Sequence, residues 1–205
     1  FIRVLLIGSL SASVGSAAPL DTIWLTHATS SPEKVVVNWE TATPGNSVVE
    51  FGNSPELGIT VRSEEAITLH QVEIPLATRG GIYYYRVRSG NEVSEISRFQ
   101  GYPEGTVGDE LRVAIVGDWG GGGKDVRSII ADKVHLLLSA GDNVANLHEK
   151  GKEGIKAYSA LIRNNRELFR STPFLPILGN HDRELTPRGP KPPVHAVYDI
   201  EAIAF

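Results

Sequence analysis

The chain reads as a β-sandwich followed by an α/β domain built on a mainly parallel sheet, and three observations predict this. Between about Leu20 and Tyr102, short runs with a period of two are separated by turn residues. From Leu111 onward, apolar strand-like runs alternate with segments of helical spacing. Between them, Gly101 to Glu110 reads G-Y-P-E-G-T-V-G-D-E, rich in glycine and acid and without periodicity, which marks a boundary.

Composition sets the outer bounds. The 205 residues are 41% hydrophobic and 21% charged, ordinary for a soluble globular protein of one large or two small domains. A net charge of −4 gives no reason to expect nucleic acid or an anionic membrane as partner. Cysteine is absent, which excludes disulfides and thiolate zinc sites, and methionine is absent too, so a chain opening on Phe1 reads as a fragment. Arg3 precedes Val4-Leu5-Leu6-Ile7, and small residues fill Ser9 to Ala18. Residues 1–18 therefore resemble the tail of a signal peptide with a cut near Ala17 or Ala18, which implies a secreted or periplasmic protein. The apolar run is too short to span a bilayer.

The β part is assigned to residues 20–102. Val35, Val37 and Trp39 alternate with Val36, Asn38 and Glu40, as in a half-buried strand. Ser47 to Phe51, Ile67 to Ile74 and Ile82 to Arg88 follow as strands, and Gly90-Asn91 turns the chain into Val93 to Phe99. This spacing suits a sandwich of immunoglobulin or fibronectin III type. Tyr83, Tyr84 and Tyr85 are expected to give one or two core rings and one corner hydrogen bond. His27 and His70 need no function.

Residues 103–110 form the linker and 111–205 the second domain. Val113 to Val116 is a strand expected to be buried on both faces. Val126, Ile129, Ile130 and Lys133 sit at helical spacing, and a longer stripe runs from Ile155 through Tyr158, Leu161, Ile162, Asn165 and Leu168 to Phe169. Lys152, Lys156, Arg163, Arg166 and Arg170 mostly face away, and a solvated basic face is expected. Arg183 to Pro193 is an irregular, proline-rich loop.

The chemistry gathers where strands end. Val113–Val116 leads into Gly117-Asp118-Trp119-Gly120, Val134–Ser139 into Gly141-Asp142-Asn143, and Phe174–Leu178 into Gly179-Asn180-His181-Asp182. In an open α/β sheet, sites form outside the carboxyl ends of the strands, so these side chains are expected to converge. Carboxylates, an amide and an imidazole suit iron, manganese or zinc, and two carboxylates on adjacent strand ends can hold two metals roughly 3.5–4 Å apart.

G-D-W-G, G-D-N and G-N-H-D, in this order, resemble the first three motifs of calcineurin-like metallophosphoesterases. V-V-V-N-W-E-T, S-V-V-E-F-G and Y-Y-Y-R-V-R-S-G resemble the fibronectin III-like N-terminal domain of purple acid phosphatases. The resemblance covers about residues 32 to 182. It implies a phosphoesterase with two divalent or trivalent metal ions and a small phosphate ester as substrate, hydrolysed by metal-bound hydroxide. By position, Asp118 would bind the first metal, Asp142 would bridge, and Asn180 would bind the second. His181 would contact the phosphate as acid or transition-state stabiliser, oriented by Asp182.

The chain departs from that pattern twice. The tyrosine that purple acid phosphatases carry three residues after the bridging aspartate is Ala145 here, and the histidine that other members place two residues after the first aspartate is Gly120. The later histidines, including a G-H-x-H pair, have no counterpart after His181, since His195 lies in a proline-rich context. The expectation is a chain that ends midway through the catalytic domain and is inactive by itself.

Rival readings are weaker. A phosphate loop at Gly120 to Lys124 would need glycine at 118 and serine or threonine at 125, where the chain has Asp118 and Asp125. His135 reads as structural and His148 as a surface residue. The alternative from another class is a non-catalytic extracellular interaction module on a degenerate, metal-free scaffold. A downstream G-H-x-H would separate the two.

Overall fold

A computed structural model describes residues 20–28, 31–121, 125–145, 155–179 and 181–182. The signal-peptide assignment, the proline-rich loop, Asn180, His148 and His195 lie outside the described residues.

Six strands come first: β1 Ile23–His27, β2 Lys34–Gly52, β3 Ile59–Pro75, β4 Ile82–Ser89, β5 Glu92–Val93 and β6 Ser97–Gln100. The two strands expected at Val35–Glu40 and Ser47–Phe51 are one, β2, which bends between them. Its first half pairs antiparallel with β1 (Val37 opposite Leu25), its second half with β4 (Val49 opposite Val87), and β3 follows it throughout. The bend coincides with register shifts around Gly45. Pro44 has no N–H to give to a ladder, and a Cβ on Gly45 would overlap the Ser89 hydroxyl, so a bulge forms there instead of a strand end.

The period-two reading is right about which residues fill the core. Val35, Val37, Trp39, Val49, Phe51, Tyr83, Tyr85 and Val87 are buried together. Tyr83 makes the corner bond: its hydroxyl donates to Thr78 O at 2.8 Å and accepts from Thr78 N at 2.7 Å. Tyr85 is the second core ring, and its hydroxyl donates to Arg170 O at 2.9 Å. His70 is fully buried, stacked 4.6 Å from Trp39 and held by the hydroxyls of Ser47 (2.7 Å) and Thr41 (3.0 Å).

No strand or helix forms between Gly101 and Glu110. Then come β7 Val113–Val116, a 3-10 turn Trp119–Gly121, α1 Arg127–Ala131, β8 Leu136–Ser139, α2 Ile155–Asn164, α3 Arg166–Ser171 and β9 Phe174–Leu175. β7, β8 and β9 are parallel neighbours, as the strand-helix alternation requires. β9 also pairs in parallel with β1 through Thr26 and Phe174, so one sheet runs β5-β4-β2-β1-β9-β8-β7. β1 serves both sides of this join. Ile23 and Leu25 enter the first core, while Trp24 enters a second with Trp119, Leu137, Ile162, Leu168, Phe169 and Phe174.

Four expectations about this half are corrected. β7 is not buried on both faces: Ile115 is 72% exposed, because among the described residues β7 pairs only with β8. The helix at Val126 to Lys133 is short, since Lys133 takes a left-handed φ of 48° and turns the chain into β8. The long stripe is two helices, broken at Asn165 (φ −123°, ψ 34°), whose amide donates back to Leu161 O at 2.9 Å. The basic face is not merely solvated either. Arg163 donates to Thr22 Oγ1, and Arg170 to the carbonyls of Leu20 and Asp21, which ties both helices to the start of β1. Among the described residues, no helix is long and apolar enough to cross a membrane.

Candidate active site at three strand ends

Three glycine-bearing loops leave the carboxyl ends of β7, β8 and β9 and pack backbone against backbone. Asp118 N donates to Gly141 O at 3.2 Å, and Gly120 N to Asp142 O at 2.8 Å, so the first loop lies along the second. A Cβ on Gly141 would come within 2.8 Å of Gly179 Cα, and one on Gly179 would overlap Asp142. These glycines are there because the loops touch.

Asp118 and Asp142 both have positive φ, 50° and 54°. A left-handed backbone costs a non-glycine residue about 1–2 kcal/mol, and such strain persists only where surroundings impose it. Here the imposing contacts are the hydrogen bonds between loops. Trp119, next to Asp118, is 5% exposed and stacks on Phe169 at 5.7 Å, which anchors the first loop to α3. The tryptophan of G-D-W-G is thus a packing residue.

The third loop closes on the second. His181 N donates to Asp142 Oδ1 at 2.9 Å, which brings the aspartate expected to bridge and the expected acid into direct contact through the backbone. The His181 ring Nδ1 lies 2.6 Å from Ala145 O. A carbonyl only accepts, so Nδ1 carries the proton.

Asp182 does something other than orient His181. It is fully buried, and its Oδ2 accepts from Asn143 N (3.0 Å), Asn143 Nδ2 (2.9 Å) and Gly179 N (2.9 Å), while Oδ1 accepts from Val144 N (3.1 Å). Four N–H dipoles meet this carboxylate, the usual way a buried anion is tolerated. What fixes the imidazole is the Ala145 carbonyl, and Asp182 fixes the backbone. Asn143 was given no role by its sequence context, yet it is the hub of this clamp: its Nδ2 also donates to Ile177 O at 3.0 Å. The signal was the N of G-D-N, an amide able to donate twice next to the loop's aspartate.

The two departures have a local explanation. A Cβ on Gly120 would overlap the backbone of Val144 and Ala145, so with the loops closed no histidine fits at that position. Ala145 contributes its carbonyl to the His181 ring instead of a side chain to a metal. Among the described residues, no three His, Cys, Asp or Glu side chains gather as a metal site. The described donors, Asp118 and Asp142, are hard oxygen ligands at adjacent strand ends, and they fit a metal centre as part of its ligand set.

Elsewhere, His135 is buried and its Nδ1 accepts from Arg112 N at 3.0 Å, a structural role as expected. His27 is likewise engaged, with Nδ1 2.9 Å from the Tyr102 hydroxyl.

Comparison with known proteins bears on this site. The family model for calcineurin-like phosphoesterases matches residues 111–204. Among solved structures, a purple acid phosphatase from yellow lupin (Lupinus luteus) seeds superposes with a TM-score of 0.64 at 16% identity, over 80% of this chain and 36% of that one. PhoD superposes with a TM-score of 0.59 at 13% identity, over 82% of this chain and 40% of that one. At these identities the likeness is one of fold, and the chain spans well under half of either structure. No curated protein sequence matches the chain.

Proposed function

We propose, from the match of residues 111–204 to the family model for calcineurin-like phosphoesterases, that the protein is a metal-dependent phosphoesterase hydrolysing small phosphate esters, of the acid-phosphatase kind. The observation that carries the reading is the meeting of three loops at parallel strand ends, where Asp142 and His181 are in contact and Asp118 and Asp142 are both held in a strained backbone. We assign Asp118 to a first metal, Asp142 to a bridging position and Asn180 to a second metal, with iron, manganese or zinc as the ions. Two such ions, when bound, supply an activated water and offset the charge of the phosphoryl group.

The chain's own residues do the rest. Ala145 O holds the proton on His181 Nδ1, so the ring presents Nε2 toward the ester. In the imidazolium form, Nε2 donates to the developing oxyanion or the leaving oxygen. The Asp182 clamp keeps the second and third loops at a fixed separation, so that carboxylate and imidazole address one substrate. The β half is read as a fibronectin III-like domain (residues 20–102) that braces the helices behind the site. A secreted or periplasmic location completes the proposal.

The test is metal uptake beside hydrolysis of p-nitrophenyl phosphate, measured on the full-length protein. Asp142→Ala loses metal and turnover together. A protein that takes up none of iron, manganese or zinc refutes the reading and favours the non-catalytic module.

A further inference from the structure

α3 is six residues long and is cut from α2 by the break at Asn165, too short to hold its own shape. Its last turn is fastened at one residue, Arg170, from two directions. The Tyr85 hydroxyl, reaching out from β4 in the first core, donates to Arg170 O at 2.9 Å. That carbonyl is among the last four of the helix, which have no partner within it. The Arg170 guanidinium donates from Nη2 to Leu20 O at 3.2 Å and to Asp21 O at 3.1 Å. Tyr85 is fully buried, and its ring already packs edge-on against Phe99 with centroids 5.9 Å apart. A phenylalanine would fill the same space, so what the hydroxyl adds is the bond to the helix.

The residue beside Arg170 faces the site. Phe169 is fully buried and stacks on Trp119 at 5.7 Å, while Phe174 meets the same indole edge-on at 6.3 Å. Trp119 follows Asp118, whose left-handed backbone persists only while its surroundings hold it. The hydrogen bonds from Asp118 N and Gly120 N to the second loop bracket Trp119 in the chain. A movement of Phe169 therefore reaches both bonds through one side chain.

We propose that Tyr85 is a positioning residue for the loop that carries Asp118: by fixing Arg170 it fixes Phe169, and Phe169 fixes Trp119. Its part in metal binding rests on the phosphoesterase reading, which assigns Asp118 to a metal; the contacts from β4 to the loop do not. The β half thereby acts on the site without contributing a residue to it.

Two matched variants of the full-length protein test this by residue-resolved amide exchange and Mn²⁺ affinity. Tyr85→Phe removes the bond to α3, and Tyr83→Phe, two residues away on the same strand, removes the corner bond to Thr78. Each loses one hydroxyl from a buried core ring, so both lower the urea midpoint of unfolding. Only in Tyr85→Phe do the Asp118 and Gly120 amides exchange faster, by about tenfold, the effect of leaving one buried carbonyl without a donor. Mn²⁺ binding weakens in that variant and is unchanged in Tyr83→Phe. Unchanged exchange at Asp118 and Gly120 in Tyr85→Phe, or Mn²⁺ affinity equal to that of a metal-binding parent, overturns the proposal. So does equal loosening in Tyr83→Phe, which would make both tyrosines general braces. If the two amides loosen in Tyr85→Phe alone and the parent binds no Mn²⁺, the path from β4 to the loop stands and the phosphoesterase reading falls.

Discussion

Asp182→Asn isolates the clamp with a change of one atom. The carboxylate takes three N–H groups on Oδ2 and one on Oδ1. An asparagine keeps the crowded side by placing its oxygen at Oδ2, and its NH₂ then faces Val144 N–H, donor against donor. One buried N–H left without an acceptor costs about 1–3 kcal/mol. The three remaining bonds lose their charge assistance, which makes such bonds roughly twice as strong, a further ~1–2 kcal/mol. Burying a neutral amide in place of an anion returns part of this. The net loss is about 2–3 kcal/mol, a large share of the ~5–15 kcal/mol that holds a domain folded. With a urea slope of ~2 kcal/mol/M, the unfolding midpoint drops by about 1 M. The assay is urea unfolding followed by tryptophan fluorescence, since Trp119 and Trp24 are both in the second core. A midpoint within ~0.2 M of the parent would refute the claim that Asp182 holds the loops together.

Three further outcomes follow from the structure. Gly120→Ala places a methyl group into the Val144–Ala145 backbone, so the loops part and stability falls by about 1–3 kcal/mol in a thermal melt; an unchanged melt would mean the loops are not closed at this point. His70 has a pKa lowered by burial from 6.5 to about 4, so the folded state resists a proton that the unfolded chain accepts. Stability is complete above about pH 6.5 and is lost as pH falls toward about 4, by on the order of 3 kcal/mol; this acid loss flattens in His70→Phe, and parallel curves for the two proteins would reject it. In the full-length enzyme His181→Ala keeps its metals while the chemical step slows roughly 10²–10⁴-fold, which metal stoichiometry beside turnover decides; metal loss like that of Asp142→Ala would make His181 a ligand.

How far the sequence alone leads is clearest at individual residues. Val35, Val37 and Trp39 enter the core because alternation along a strand is a local rule, readable without knowing the partner strand. The single bent strand from Lys34 to Gly52 was not readable, because Pro44 and Gly45 serve a turn and a bulge equally well and only the approach of Ser89 decides. The three strand ends were legible because glycine beside a donor residue is a local pattern. The partners of Asp182 were not, since its contacts lie 38 and 39 residues back at Val144 and Asn143, and a histidine one position away offered a nearer partner. Ile115 shows the same limit from the other side: an apolar run looks alike whether one or two neighbours flank it.

The pairing of Thr26 with Phe174 also has a consequence for biosynthesis. β1 acquires β2 as a neighbour almost as soon as it leaves the ribosome, but its other edge waits for a strand about 150 residues further on. At ~5–20 residues per second that wait is roughly 7–30 s, long compared with the microseconds in which a hairpin closes. Throughout it, Trp24 has no second core to enter and the open backbone edge of β1 is available to any nascent chain nearby. Slow codons between β6 and β9 would lengthen this exposure, and yield of soluble protein should fall accordingly.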